Sequence, residues 1–369
     1  MASERAGASR SPTAPSVRAD EESVLVAFGG DVNFGRKCGQ RLLVDADFDP
    51  LRSVQPLWRD ADLRFVNLEA PLSDQRGETQ SPHHDLVFTG PPAGADALAR
   101  AGVGMVSTAN NHSWDYGRRG MFETLANLDR AGVQHAGTGV DEAAAYRPAI
   151  VDVRSAKVAL FAVTQVWNLG VFEQEQARHH VAWADPARLR DAVMRARREA
   201  DFVLLSYHGG EEYTEAPFPR ARAFVAEMMS LGVDAVIGHH PHVMQGVAWF
   251  ESRPVFYSLG NLVFDARSDV PGTARGMIAK LRLRRGYAAE AVVCPIVIDG
   301  YEPRALRPNE VESRRAFVSH LRAISQPLGG SEFGARDEAG CFSIRPTHDV
   351  SPRRDRRRAD PKSPPIARR

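Results

Sequence analysis

Val236-Ile237-Gly238-His239-His240-Pro241-His242 decides how this chain is read. Three apolar or small residues form a buried strand, and the strand ends in three histidines within four residues. Folds that alternate helix and strand place their chemistry where strands end. Neutral imidazole is a common ligand for Zn, Fe, Ni and Cu, and a His-x-His step lets two rings face one point from an extended backbone. The segment poses one question to the rest of the chain, namely whether other strands end in ligand-type residues.

They do. Val24 to Phe28 is an apolar run suited to a strand buried on both faces, and it delivers Asp31 and Asn33 after Gly29-Gly30. Leu63 to Val66 delivers Asn67 and Glu69. Val103 to Thr108 delivers Asn110-Asn111-His112. Phe202 to Ser206 delivers His208, and Pro254 to Leu259 leads to Asn261. Carboxylates, carboxamides and imidazoles at successive strand ends are the donor set of one or two divalent ions such as Mn, Fe or Zn. Each member taken singly has an ordinary structural explanation, a turn cap for Asp31 or Asn33 and a hydrogen-bonded core histidine for His208. Their recurrence at strand ends is what those explanations leave out.

The intervening segments read as helices. Ala93 to Ala101, Gly120 to Ala131, Asp185 to about Ala200 and Pro219 to Leu231 carry helical patterning, and three of them stop at Gly102, Gly132 and Gly232 directly before a strand. Asp185-Pro186 is an N-cap followed by proline at the first helical position. Met277 to Leu283 and Ala291 to Ile298 read as two more strands joined by a hairpin at Arg285-Gly286. The polar stretch Asp74 to Asp85 reads as a surface loop, with a lid near the site as the alternative. The chain divides into an N-terminal tail at 1–22 expected to be disordered, a main domain at 23–310, an extension at 311–350 with one helix near Ser313 to Ile324, and a disordered basic tail at 351–369.

Composition narrows the function. The 369 residues are 43% hydrophobic and 25% charged, ordinary for a globular chain, and 47 Lys and Arg balance 46 Asp and Glu. That balance gives no electrostatic basis for a nucleic-acid partner. Cys38, Cys294 and Cys341 lack metal-type spacing, so the expectation is no disulfide framework and a reducing compartment. Met1 to Asp20 lacks the apolar core of a secretory signal, and no apolar run approaches the roughly 20 residues of a membrane span. A cytoplasmic location is the corresponding expectation.

The motifs that surround these residues resemble the CapA family of poly-gamma-glutamate capsule synthesis proteins, a branch of the calcineurin-like metallophosphoesterases. They are Gly30-Asp31-Val32-Asn33-Phe34-Gly35-Arg36, Asn67-Leu68-Glu69, Ala109 to Gly117, His208 to Tyr213, Gly238 to Gln245 and Tyr257 to Asp265, in the family's order from about Val24 to Ile298. The resemblance implies an α/β fold, a four-layer α/β/β/α sandwich with the site at the strand ends. It implies metal-binding roles for Asp31, Glu69 as the bridging carboxylate, Asn111, His208, His240 and His242, with His239 the rival for one of the last two places. It implies that His112, oriented by Asp115, is the general acid. Where the wider superfamily carries Asp-x-His, this chain carries Asp31-Val32-Asn33, which replaces a nitrogen donor by an oxygen donor.

The function read from motifs and resemblance together is a metal-dependent hydrolase. A metal-bound hydroxide would cleave a phosphoester or an amide of gamma-glutamyl type. The alternatives are a non-catalytic accessory protein of poly-gamma-glutamate biosynthesis and a cytosolic tailoring enzyme for an amide-containing small molecule. The substrate is expected to be an anionic small molecule or polyglutamate-like. Its pocket would draw on Asn33, Arg36, Asn67, Arg118, Glu211, Tyr213, His239, Gln245, Tyr257 and Asn261.

Overall fold

The computed structural model describes residues 23–286 and 289–347, so the two expected tails lie outside the described residues. The chain forms two β-sheets. The larger has ten strands: β1 (Ser23–Val32), β2 (Leu63–Leu68), β3 (Met105–Ser107), β4 (Gln134–Ala136), β11 (Asn261–Val263), β12 (Arg275–Arg284), β13 (Glu290–Asp299), β14 (Glu302–Ala305), β15 (Ser331–Arg336) and β16 (Phe342–Pro346). The smaller has six: β5 (Ala149–Val153), β6 (Ala156–Thr164), β7 (Phe202–His208), β8 (Ala235–His239), β9 (Val247–Phe250) and β10 (Arg253–Phe256). β1 to β4 run parallel, as do β6, β7, β8 and β10, so each sheet gathers its carboxyl ends along one rim.

Period-two alternation of apolar side chains builds the layers. In β1, Val24, Val26 and Phe28 face the other sheet, while Leu25 and Ala27 face the helices outside. In β7, Phe202 and Leu204 face inward, and Val203, Leu205 and Tyr207 face the outer helices. Every one of these side chains is buried. The helices α1 (Arg36–Val44) and α2 (Ala93–Arg100) cover the larger sheet, beside α3 (Gly117–Ala131), which contributes Leu128 to the same core. The helices α4 (Pro186–Glu199) and α5 (Pro219–Ser230) cover the smaller. The result is the expected four-layer α/β/β/α sandwich.

The helix α6 (Val311–Ser325) buries Phe317 and Leu321 at the end of the inter-sheet core. Ser325 Oγ accepts a hydrogen bond from the Val247 N–H at 3.0 Å, which ties this helix to β9. Beyond α6 the sequence showed no further pattern, yet the larger sheet is extended by β16, which pairs with β13, and by β15, which pairs with β16. They are five and six residues long and each buries a single residue, so the alternation is too short and too polar to read. The hairpin turn expected at Arg285-Gly286 is present, with β12 antiparallel to β13.

The cysteine expectation is corrected here. Cys294 on β13 and Cys341, next to β16, form a disulfide across a sequence separation of 47. Strand pairing brings them together, and nothing in their spacing announces it. Cys38 is free and buried. A closed loop of that length stabilises the fold by about 4 kcal/mol through loop-closure entropy. Cys341→Ser should therefore lower the denaturant midpoint, and dithiothreitol should do the same to the wild type but not to the variant. Equal midpoints with and without reductant would show that the bond contributes nothing. Among the described residues no helix is long and apolar enough to cross a membrane.

Candidate metal centre

Two close backbone approaches create the site. A Cβ at Gly30 would lie 1.9 Å from the Gly260 carbonyl oxygen, and one at Gly238 would lie 1.9 Å from the Tyr257 carbonyl oxygen. Only glycine permits either contact. The segment 257–261 can therefore cross from the smaller sheet to the larger directly over both strands. It is locked there by Asp31 N–H to Gly260 O at 3.1 Å and Leu259 N–H to Gly238 O at 3.2 Å. Asp31 and His239, one residue past each glycine, are thereby brought face to face.

The carboxylates sit at the centre, fully buried. Asp31 Oδ1 accepts from Asn67 Nδ2 at 2.9 Å and lies 3.1 Å from His239 Nδ1. Asp31 Oδ2 accepts from the His240 backbone N–H at 3.1 Å and lies 3.7 Å from His242 Nδ1. Glu69 Oε1 lies 3.8 Å from His208 Nε2 and 3.6 Å from His242 Nε2, and it has no hydrogen-bond partner. Asn67 Nδ2 reaches Asp31, Glu69 and His208 Nδ1 with two hydrogens for three acceptors. Asn110 Nδ2 holds this amide by donating to Asn67 Oδ1 at 3.3 Å and to Leu68 O at 2.7 Å.

Three triads of donor atoms lie within 4.8 Å of one another: Asp31, Glu69 and His242; Glu69, His208 and His240; and Glu212, His240 and His242. Glu69 belongs to two of them. Asn111 Oδ1 lies 2.7 Å from His208 Nε2, beside the second triad. Buried polar atoms without partners cluster here: Glu69 Oε1, His240 Nδ1, His239 Nε2, and the amide nitrogens of Asn33 and Asn111. Buried polar groups are almost always paired, so a cluster of orphans needs a missing partner. Two carboxylates among three or more imidazoles match a divalent cation in donor chemistry.

Tautomers favour the same partner. Asn261 Nδ2 donates to Thr273 O at 3.1 Å, which turns Asn261 Oδ1 toward His242 Nδ1 at 2.9 Å. His242 then carries its proton on Nδ1 and directs the Nε2 lone pair at Glu69. Such outer contacts orient metal-ligating histidines. The backbone at His240 (φ 99°) and His242 (φ 58°) is left-handed, a conformation that costs about 1–3 kcal/mol for such residues and concentrates at functional sites.

Electrostatics set the proton inventory. Burial alone would raise the Asp31 pKa, but the hydrogen bond and charge of His239, with His208 and His242, hold it well below the usual carboxylate range. Burial and then the Asp31 charge push Glu69 well above its ordinary value. Burial, reinforced by neighbouring imidazoles, lowers His208 far below its ordinary value and His240 to about 3, and burial lowers His242 as well. These three imidazoles are thus neutral at pH 7 with lone pairs available, whereas Glu69 holds its proton more tightly than a free carboxyl does. A group whose pKa is raised must lose its proton to bind a cation, so metal affinity falls as pH falls. Calorimetric titration of metal-stripped protein with Mn should therefore show weaker binding at each step down in pH. Equal affinity across the series would contradict the raised carboxyl.

His112 stands beside the triads. Its Nδ1 lies 2.8 Å from Asp115 Oδ2, which also accepts the Phe88 N–H at 2.7 Å. The Phe88 ring covers the imidazole at 4.7 Å between centroids. Nε2 lies 3.4 Å from Asn168 Nδ2. Burial raises the Asp115 pKa against the pull of His112.

The remaining pocket candidates separate. Asn33 spends Oδ1 on the Gly35 N–H at 2.7 Å, and Gln245 spends Nε2 on Thr214 O at 2.7 Å. Tyr213 lies 6.2 Å from the His242 ring, and Arg36 packs on Phe88. Arg118 is exposed on the first turn of α3 with its guanidinium over Phe122. Glu211 is exposed, and it is its neighbour Glu212 that joins a triad. Tyr257 is corrected: it points away from the site into the core beneath α4 and α5. Sequence reading missed Phe88, and it missed Asn168, Glu212 and Arg267, each of which lies four residues past the end of its strand. Gln80, within the polar Asp74 to Asp85 loop, bridges to Phe88 just beyond it, and the Phe88 ring is laid over His112.

Comparison with known proteins agrees with the family resemblance of the motifs. The sequence profile described as bacterial capsule synthesis protein PGA_cap matches residues 25–266. The PGA biosynthesis protein CapA of Bacillus subtilis (strain 168) is 28% identical over 81% of this chain and 78% of its own length. A Mycobacterium tuberculosis protein named "Probable polyglutamine synthesis accessory protein" is 29% identical over 55% of this chain and 56% of its own. Among solved structures, NAD nucleotidase of Haemophilus influenzae aligns at a TM-score of 0.42 and 12% identity, over 82% of this chain and 63% of that one.

Proposed function

The chain belongs to the family of bacterial capsule synthesis proteins PGA_cap, and on that premise we propose that it is a divalent-metal-dependent hydrolase of a phosphoester or a gamma-glutamyl-type amide. The observation that carries this reading is Glu69, a fully buried carboxylate with an unpartnered oxygen shared between two donor triads.

Asp31, Glu69 and His242 would hold one cation, and Glu69, His208, His240 and Asn111 a second. Bound there, such cations supply Lewis acidity and a strong nucleophile at neutral pH. The chain's own residues do the rest. Asn261 keeps the His242 Nε2 lone pair turned to the centre. Asp115 accepts from His112 Nδ1 and so presents Nε2 toward the leaving atom, where a protonated imidazole donates. Phe88 shields the other face of that ring from water. Arg36 and Tyr213 stand at the mouth.

The test is hydrolysis of phosphoesters and of gamma-glutamyl amides by protein of measured metal content. Turnover that needs Mn, Fe or Zn and disappears with chelator supports the reading. A metal-replete protein that turns over neither class sinks it. A second reading, a non-catalytic accessory role in polyglutamate synthesis with the polymer as its partner, draws on the name of the M. tuberculosis relative. It predicts polymer binding without turnover in the same assays.

A further inference from the structure

Two of the three donor triads account for the two cations, and the third is left over. It joins Glu212 to His240 and His242, with the donor atoms within 4.8 Å of one another. His240 also belongs to the triad of Glu69 and His208, and His242 to the triad of Asp31 and Glu69. Glu212 is therefore a second carboxylate, besides Glu69, whose imidazole partners come one from each cation site.

The two carboxylates are held differently. Glu69 is fully buried directly after β2, whereas Glu212 is exposed. Both imidazole partners of Glu212 are buried, and His240 Nδ1 has no hydrogen-bond partner. Glu212 thus reaches the centre from the solvent side, the side on which a substrate arrives. Its loop, after β7, is sewn to the histidine loop after β8. The Gly209 N–H donates to His239 O at 3.1 Å, the Tyr213 N–H to Pro241 O at 2.8 Å, and Gln245 Nε2 to Thr214 O at 2.7 Å. These bonds bracket Glu212. Tyr213 (φ 63°), His240 and His242 are all left-handed, so both loops hold unfavourable backbone where they meet. The Glu212 carboxylate can nevertheless swing away by side-chain rotation alone, with every one of those bonds intact.

A third cation does not suit this triad. His242 has one lone pair to give, on Nε2, because Nδ1 turns its proton to Asn261. A cation at Glu212 would have to take that lone pair from the first site and sit beside two like charges. A bridging carboxylate needs neither.

We propose that Glu212 is an exchangeable carboxylate ligand that spans the two cations on their solvent side, and that the oxyanion of an incoming ligand displaces it. The proposal rests on the metal reading of the site. One anion replaces another, so the charge around the cations is conserved and only coordination bonds change. The ligand class is therefore one that presents a phosphate or carboxylate oxyanion directly to the metals. A neutral ligand would leave the cations one negative charge short.

The experiment compares full-length wild type with Glu212→Gln, both loaded with cobalt, by metal content, visible spectrum and calorimetric binding of inorganic phosphate. Glutamine keeps the size and removes the charge at an exposed position, so the fold is retained. Metal content should be equal. The cobalt bands should differ before phosphate is added and coincide at saturating phosphate, because the ligand set differs only while the carboxylate is bound. Phosphate should bind the variant about tenfold more tightly, since a site closed nine-tenths of the time loses tenfold in apparent affinity. A variant that loses metal makes Glu212 a resident ligand and overturns the proposal. Identical bands before phosphate, or no gain in phosphate affinity, overturn it as well and leave the metal reading standing. A wild type that takes up no cobalt sinks both. Exchange in a protein that hydrolyses neither phosphoesters nor amides sinks the hydrolase reading alone.

Discussion

Asp31→Asn should strip the protein of its metal. Asp31 is fully buried and its two oxygens are reached by His239, Asn67, the His240 backbone and His242. The substitution keeps the shape and removes the charge that draws a cation between Asp31 and Glu69. Changes to residues that merely orient a ligand already cost about 10- to 100-fold in metal affinity. Loss of the charged donor itself should cost at least about 100-fold on that scale. Elemental analysis of wild type and variant purified side by side reads the result. Equal metal content would remove Asp31 from the donor set. The variant also relieves the repulsion that raises Glu69, so the metal-free variant should not be less stable in proportion to its metal loss. A melting temperature that falls together with metal content, and is not matched by the wild type after chelation, would instead mark Asp31 as structural.

His112→Ala should leave metal content intact and slow turnover by about 100- to 10,000-fold, the range for loss of a positioned general acid or base. The separation of effects is the informative part. His112 belongs to none of the three donor triads. Its Nδ1 is committed to Asp115, and Nε2 is met by Asn168 Nδ2 at 3.4 Å. Asp115→Asn should give a smaller loss in the same direction, because it disturbs the tautomer and removes the acceptor that steadies a protonated ring. A substrate whose leaving group departs without a proton should escape most of both losses. If His112→Ala loses metal as fully as Asp31→Asn, the imidazole is a ligand and not an acid.

Most of the candidate donors were legible in the sequence. Asp31, Glu69, Asn111, His208, His240 and His242 each follow an apolar run long enough to be a strand, and the family resemblance singled them out among the polar residues there. The two buried faces of β1 and β7 were readable from continuous apolar sequence. The helix α1 was not, because it follows a site loop directly and lies within a stretch that carries Lys37, Gln40 and Arg41. Glu212 could not be told from Glu211 by sequence, since the choice depends on how a loop with Tyr213 at positive φ turns. Arg267 and Asn168 sit four residues past their strands, beyond the positions a strand end fixes. The pairing of Cys294 with Cys341 depends on β16 lying beside β13, and β16 is too short to predict.

The sequence by itself determined which segments are buried strands and which ligand-type side chains end them. Both follow from local rules: period-two burial of side chains, glycine where backbones cross, and polar residues at the ends of apolar runs. Only the tertiary structure decided how the donors are shared. Glu69 stands between two triads and Asn261 turns His242 where the segment 257–261 knits the two sheets together over Gly30 and Gly238, and Phe88 covers His112 where its N–H meets Asp115. Which atoms meet is a question of distances across sheets, and those are set by packing of the whole sandwich rather than by any stretch of the chain.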